Sequence, residues 1–186
     1  MSFKSEPLST GNNLDDAKPY SMPDLDEKEV TKDIQVIKLL GKSRFPIYLV
    51  YSKTHQAYYA MKVFPYENFQ INPSYLSELR FSSLNHPNII SVTEARSMRK
   101  GRYKGKHMQI SYLLIELAPY GDITRHIMQD TLPKNDDKLV RTLFRQLING
   151  LEFLHSKGMA HMDLKLDNLL LGEDYVLKIA DFDFCI

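Results

Sequence analysis

Near its C-terminal end the sequence sets two polar clusters on either side of a short apolar hairpin. The first is His161-Met162-Asp163-Leu164-Lys165-Leu166-Asp167-Asn168, and the second is Asp181-Phe182-Asp183. Between them, Leu169-Leu170-Leu171 and Val176-Leu177-Lys178-Ile179-Ala180 flank the turn residues Gly172-Glu173-Asp174. Two β-prone runs on either side of such a turn predict a hairpin. A hairpin here returns the chain on itself, so Asn168 and Asp181 come close together although they are 13 positions apart. Sequence spacing becomes site geometry at this point.

Upstream, strand-like runs are predicted over Ile34 to Leu40, Ile47 to Ser52, Ala57 to Phe64, Ile89 to Thr93 and Met108 to Ile115. Lys53-Thr54-His55-Gln56 is the expected connection between the second and third. Asn72-Pro73 starts a short helix, Asn72 as N-cap and Pro73 at the first helical position, with Leu76, Leu79 and Leu84 on its apolar side. The clearest helix is predicted from about Asp136 to Ser156. There Val140, Leu143, Phe144, Leu147, Ile148, Leu151 and Leu154 recur at the i, i+3, i+4, i+7 spacing of an amphipathic helix, and Gly158 supplies the stop.

The segment from residue 1 to about 33 is polar and carries more acidic than basic side chains, so it cannot bury enough apolar surface to offset the entropy of ordering. It is expected to be a flexible tail. The stretch from Arg96 to His107 has six Lys or Arg and no acid. It lacks the aromatic platform and extended charge stripe of a nucleic-acid binder, and is expected to be an exposed loop between two antiparallel strands. A formal charge of +1 over 186 residues gives no global pull towards nucleic acid or acidic lipid. No apolar run approaches the length of a membrane span, and the opening Met1-Ser2-Phe3-Lys4-Ser5-Glu6 lacks a secretory apolar region. The single Cys185 excludes an internal disulfide framework, and the expected compartment is the cytoplasm or nucleus.

The two polar clusters resemble the H-R-D-L-K-x-x-N and D-F-G motifs of protein kinases. Four further patterns follow the same family order. Leu40-Gly41-Lys42-Ser43-Arg44-Phe45-Pro46-Ile47-Tyr48 resembles the glycine-rich loop, and Ala60-Met61-Lys62 resembles the V-A-I-K strand. His86-Pro87-Asn88-Ile89-Ile90 looks like the turn after the αC helix, and Tyr112 to Asp122 like the fifth strand and interlobe hinge. Over roughly residues 34 to 186 the chain is similar to eukaryotic protein kinases of the serine/threonine type, since Lys165 stands two places after Asp163.

The resemblance implies an α+β fold: a five-stranded antiparallel sheet with one helix, hinged to the first part of a helical lobe. Residues 1–33 would be the tail, 34–118 the small lobe and hinge, and 119–186 an incomplete large lobe. It also implies ATP and Mg²⁺ as cofactors and protein Ser/Thr hydroxyls as substrate. Asp163 would orient the attacking hydroxyl, and Lys165 would lie beside the transferring phosphoryl group. Asn168 and Asp181 would hold the metal. Gly41 and Lys62 would meet the phosphates, and Ala60, Glu116, Ala118 and Asp122 would meet adenosine. Asp122 reads equally as a helix cap. Glu78 is the nominated partner of Lys62, although the family count back from His86 falls on Ser77, about 100° away around a helix. A one-residue deletion in the following turn would reconcile the two; otherwise Glu78 is a surface charge.

Several positions depart from the family pattern. Ser43 and Pro46 stand where the second and third loop glycines would be, and Pro46 has no N–H to offer a phosphate. Asp183 replaces the glycine of D-F-G, and Met162 replaces the arginine that pairs with a phosphorylated activation loop. The pattern stops ahead of the activation segment and A-P-E motif, so a truncated domain is expected, with the 136–156 helix open to a partner protein. The alternatives are a pseudokinase that binds nucleotide or protein without catalysis, and a non-functional truncated product.

Overall fold

The computed structural model describes residues 33–42, 44–103, 106–133 and 136–186, with the side chains of Lys42, Met98 and residues 101–103 excepted. The expected tail therefore lies outside the described residues. The described chain divides into two compact units, one holding residues up to Ser83 with Val92–Leu117, the other Leu84–Ser91 with Ala118–Ile186. Among the described residues no helix is long and apolar enough to cross a membrane.

The first unit is a five-stranded sheet of β1 (Ile34–Lys42), β2 (Pro46–Ser52), β3 (Ala57–Pro65), β4 (Val92–Tyr103) and β5 (Lys106–Glu116), in the order β1-β2-β3-β5-β4. Every neighbouring pair is antiparallel. Side chains alternate across a strand, which divides β3 between two cores. Met61 and Val63 join Val36, Tyr48, Val50, Ile110, Tyr112 and Leu114 on one face. Phe64 joins Phe45, Tyr75 and Leu113 on the other. That second face also carries Lys62, two residues from Phe64, and receives the helix α1 (Pro73–Leu79). Asn72 caps α1 as expected, its Oδ1 accepting from the Ser74 amide at 3.0 Å.

Two details of this unit differ from expectation. The buried residues of α1 are Ser74, Tyr75 and Glu78, while Leu76 is 46% exposed. Tyr75 contributes more buried apolar surface than Leu76 would, and its ring meets Phe64 edge-on at 5.6 Å. The basic stretch is also not a loop. β4 runs through Arg96, Arg99 and Lys100 to Tyr103 and returns as β5 from Lys106, a long hairpin in which Lys100 pairs Gln109 and Arg102 pairs His107. Its charges lie along an edge strand, where they discourage edge-to-edge pairing with another chain.

The second unit is built on α3 (Asp137–Ser156), preceded by α2 (Ile123–Met128) and packed on a small sheet of β6 (Gly121–Asp122), β7 (Leu169–Leu171) and β8 (Leu177–Ile179). Asp136 caps α3 through its Oδ1, and Gly158, at φ +72°, ends it with its amide bonded to the His155 carbonyl. Leu154 is fully buried, and Gly150 lets the helix approach β8 so closely that an added Cβ would stand 2.8 Å from Ile179 Cδ1. Three of the seven residues of the predicted apolar stripe are exposed: Val140 61%, Phe144 61% and Ile148 48%.

The expected strand from Ile89 to Thr93 is divided. Ile89 makes an isolated parallel bridge to Ile179, and the strand proper begins at Val92. Asn88 explains the division. Its Nδ2 donates to the Leu177 carbonyl at 2.9 Å and to Gln146 Oε1 at 3.2 Å, which commits Leu84–Ser91 to the second unit.

Candidate functional site

The sequence-predicted residues fall into two groups, one in each unit. In the first unit, Lys62 on β3 and Glu78 on α1 form an ion pair, Lys62 Nζ donating to Glu78 Oε1. The two side chains are 4% and 6% exposed. The surface-charge reading of Glu78 is thereby overturned, and the one-residue offset counted from His86 is absorbed in the turn after α1. Burying both charges requires this mutual neutralisation, since an isolated ammonium in a low-dielectric interior is strongly disfavoured.

Gly41 lies on β1 opposite Ile47, beside an irregularity in the β1–β2 register. Among the described residues, a Cβ there would meet nothing within 4 Å. Ser43 lies outside the described residues. Pro46 is the first residue of β2 and pairs across from Lys42. Phe45 is only 4% exposed, with its ring centroid 4.8 Å from that of Phe64. Ala60 pairs with Ile115 and Leu49, and Glu116 closes β5 opposite Tyr59.

In the second unit, Ala118 is buried, and its carbonyl accepts from the Gly121 amide. Asp122 caps α2: its Oδ1 accepts from the Arg125 amide at 2.7 Å. This is the cap role the sequence allowed beside the ribose role.

The catalytic-loop residues converge. Lys165 Nζ donates to Asp163 Oδ2 at 2.6 Å. Asn168 Nδ2 donates to the Asp163 carbonyl at 2.9 Å and to its Oδ2 at 3.1 Å. The ammonium beside it holds the Asp163 carboxyl below the usual carboxylate range, with the Asn168 amide adding to the effect. Conversely, the Asp163 carboxylate raises Lys165 above the usual lysine value, and the Asp181 charge adds to that shift. Asp163 is thus held as a carboxylate that accepts hydrogen bonds from both Lys165 and Asn168.

His161, the first residue of the motif, has a role that the sequence does not signal. Its Nε2 lies 3.0 Å from the Ala180 carbonyl, an acceptor, so Nε2 carries the proton. Its Nδ1 then accepts from the Asp163 amide at 3.3 Å. One neutral imidazole therefore ties the Asp163 loop to the residue before Asp181. Two strained residues flank this clamp, Met162 at φ +61° and Asp181 at φ +67°. The Asn88–Gln146 pair was also missed. Gln146 Oε1 accepts from the Leu177 amide at 2.9 Å, locking β8 to α3 behind the site. A polar residue on a helix gives no sequence signal that it faces a strand end.

A fit for Mg²⁺ follows from the donor chemistry. Among the described residues no group of three or more His, Cys, Asp or Glu gathers to hold a metal ion. Mg²⁺ does not need one, because it is commonly held by one or two protein oxygens together with phosphate oxygens and water. Asn168 turns its N–H groups to Asp163, which leaves its Oδ1 as the acceptor, and Asp181 supplies a carboxylate.

Residues 34–186 match the family described as the protein kinase domain. A probable serine/threonine-protein kinase fhkE of Dictyostelium discoideum is 30% identical over 157 residues, covering 78% of this chain and 20% of that protein. The chain therefore spans about a fifth of the length of this curated relative.

Proposed function

Because the chain belongs to the protein kinase family, we propose that it transfers the γ-phosphate of ATP to serine or threonine hydroxyls of proteins. The observation that carries this reading is the Asp163–Lys165–Asn168 constellation, in which the family's cation and amide both donate to its carboxylate. Asp163 accepts the hydroxyl proton as the oxygen attacks, and Lys165 balances negative charge beside it. Asn168 Oδ1 and Asp181 would hold Mg²⁺, which when bound neutralises phosphate charge. Lys62, oriented by Glu78, contributes a charge-assisted contact to phosphate. Ala60, Glu116 and Ala118 would border the adenine, and Gly41 the phosphates. We also assign the exposed Val140, Phe144 and Ile148 stripe of α3 as the face that a further polypeptide segment or partner protein covers.

The test is phosphate incorporation into serine/threonine peptide substrates by the wild-type chain and by Asp163→Asn. Turnover that falls by two orders of magnitude or more in the variant, with MgATP affinity unchanged, is the expected result. Equal turnover in the two proteins removes Asp163 from the chemistry. MgATP binding with no turnover in the wild type leaves the non-catalytic nucleotide-binding module as the correct reading.

A further inference from the structure

β8 is three residues long and lies at the edge of the sheet β6-β7-β8, with β7 on its inner side. A pairing this short is marginal in water and does not hold its register through ladder bonds alone. The outer edge of β8 is closed by other means. The Leu177 amide donates to Gln146 Oε1, and the Leu177 carbonyl accepts from Asn88 Nδ2, both at 2.9 Å. Two positions on, the Ile179 amide donates to the Asn88 carbonyl and the Ile179 carbonyl accepts from the Ile90 amide, again both at 2.9 Å. Gln146 and Asn88 also hold each other, Asn88 Nδ2 donating to Gln146 Oε1 at 3.2 Å. This set closes with one orientation of each amide: the Gln146 oxygen faces two N–H donors, and the Asn88 nitrogen faces two oxygens. Asn88 is 4% exposed, so a group left unpaired there has no water to turn to.

The chain that leaves β8 enters the candidate metal site. Ala180 comes directly after Ile179; its amide donates to the Asn168 carbonyl at 2.9 Å, and its carbonyl accepts from His161. Asp181 is the next residue. Where β8 ends therefore decides where Asp181 stands against Asn168. Gln146 reaches β8 from α3, and Gly150, one turn along that helix, keeps the approach open: a Cβ there would stand 3.0 Å from the Asn88 carbonyl.

We propose that Gln146 is a positioning residue: through Asn88 and the Leu177 amide it sets where β8 ends, and thereby where Asp181 stands relative to Asn168. The proposal rests on the reading of Asp181 as a Mg²⁺ ligand, and it adds a residue that touches neither metal nor substrate. What it requires at position 146 is a hydrogen-bond acceptor of the right length.

The experiment compares the wild-type chain with Gln146→Met and Gln146→Glu. Met is unbranched like Gln but offers no comparable acceptor, whereas Glu keeps an oxygen towards the same two donors. Amide hydrogen exchange of the metal-free proteins, read by NMR, comes first. Exchange at Leu177 and Ala180 should be about tenfold faster in Gln146→Met, the factor carried by one lost hydrogen bond, and within about twofold of wild type in Gln146→Glu. The amides of β5 serve as the reference and should not move. An unmoved Ala180, or equal acceleration in the Met and Glu variants, overturns the proposal; so does a rise shared by β5, which is general loss of stability. Mn²⁺ binding in the presence of ATP, read by electron paramagnetic resonance, tests the consequence. Affinity should fall about tenfold in Gln146→Met and stay within about twofold in Gln146→Glu, as for a residue that supports a metal ligand. Asp181→Asn separates the two claims. If it weakens Mn²⁺ binding and Gln146→Met does not, the positioning role is overturned. If it leaves Mn²⁺ binding as in wild type, the metal reading of Asp181 fails, while exchange at Ala180 still decides whether Gln146 sets the end of β8.

Discussion

Glu78→Ala is the substitution that most directly tests how the first unit is held together. Lys62 and Glu78 are both nearly inaccessible, so neither charge has bulk water to fall back on. Breaking a buried pair by deleting one partner typically costs about 3–5 kcal/mol, because the surviving charge must stay buried without its counter-ion or drag water into the core. That is a large part of the ~5–15 kcal/mol by which a domain is usually stable. With a urea slope of about 2 kcal/mol/M, the unfolding midpoint should fall by about 1.5–2.5 M. Lys62→Met should cost a similar amount, since it leaves the Glu78 carboxylate behind. The double variant Lys62→Met/Glu78→Leu should recover most of the loss, because an apolar pair of similar volume needs no neutralisation. Urea melts of the wild type, Lys62→Met, Glu78→Leu and the double variant, followed by circular dichroism, form a complete cycle, with Glu78→Ala measured beside them. A Glu78→Ala shift below about 0.5 M, or a double variant as unstable as the two singles combined, would refute the argument that this pair is an energetically coupled unit.

Two shorter tests address the second unit. The folded Asp163 carboxyl lies below its ordinary value because of Lys165, so the contribution of the pair is present above the ordinary carboxylate range and is lost as pH falls through the depressed folded value. A carbon-13 titration should show Asp163 ionised to lower pH than a free aspartate and moved back upward in Lys165→Met; an unmoved titration would show that Lys165 is not the cause. Gly150→Ala should destabilise the chain by about 1–3 kcal/mol, since its Cβ would stand 2.8 Å from Ile179 Cδ1 and 3.0 Å from the Asn88 carbonyl. A helix-favouring gain in thermal stability instead would mean that α3 and β8 are not packed this closely.

What the sequence conveyed about this fold depended on how local the signal was. Asn72-Pro73 starts α1 and Asp136 starts α3 because a cap needs only its own side chain and an amide two or three residues on. The hairpin joining Asn168 to Asp181 was legible for the same reason, and Ala180 donates its amide to the Asn168 carbonyl at 2.9 Å. The exposure of Leu76 was not legible, because a seven-residue helix has barely two turns and its inner face is chosen by what the sheet presents. Nor was the seat of Ile89, which is set by Asn88 bonding to residues 58 and 89 positions away. Within the site, Asp163, Lys165 and Asn168 were readable as a motif, but the inward turn of Phe45 was not. Its ring joins Phe64 and Tyr75, partners 19 and 30 positions away that its sequence neighbours do not signal.

The family departures divide by what each one changes. Asp183 stands where the motif has glycine, yet it is not among the residues at positive φ, whereas Asp181 two places earlier is. The backbone freedom of glycine is therefore not called on at 183 in this conformation, and the substitution adds charge without adding strain. The strain sits instead at Met162 and Asp181, at either end of the His161 clamp, where the loop and the strand end are joined by one imidazole. Pro46 likewise fits its place at the head of β2, and what it removes is an N–H donor. Neither change disturbs the Asp163–Lys165–Asn168 hydrogen bonds. The loop from Asp163 to Asn168 thus retains its geometry, and the substitutions bear on the proposed phosphate and metal contacts: one two places after Asp181, the other at the head of β2. On this division, altered behaviour should appear first in nucleotide affinity, and only afterwards in the proton transfer proposed for Asp163.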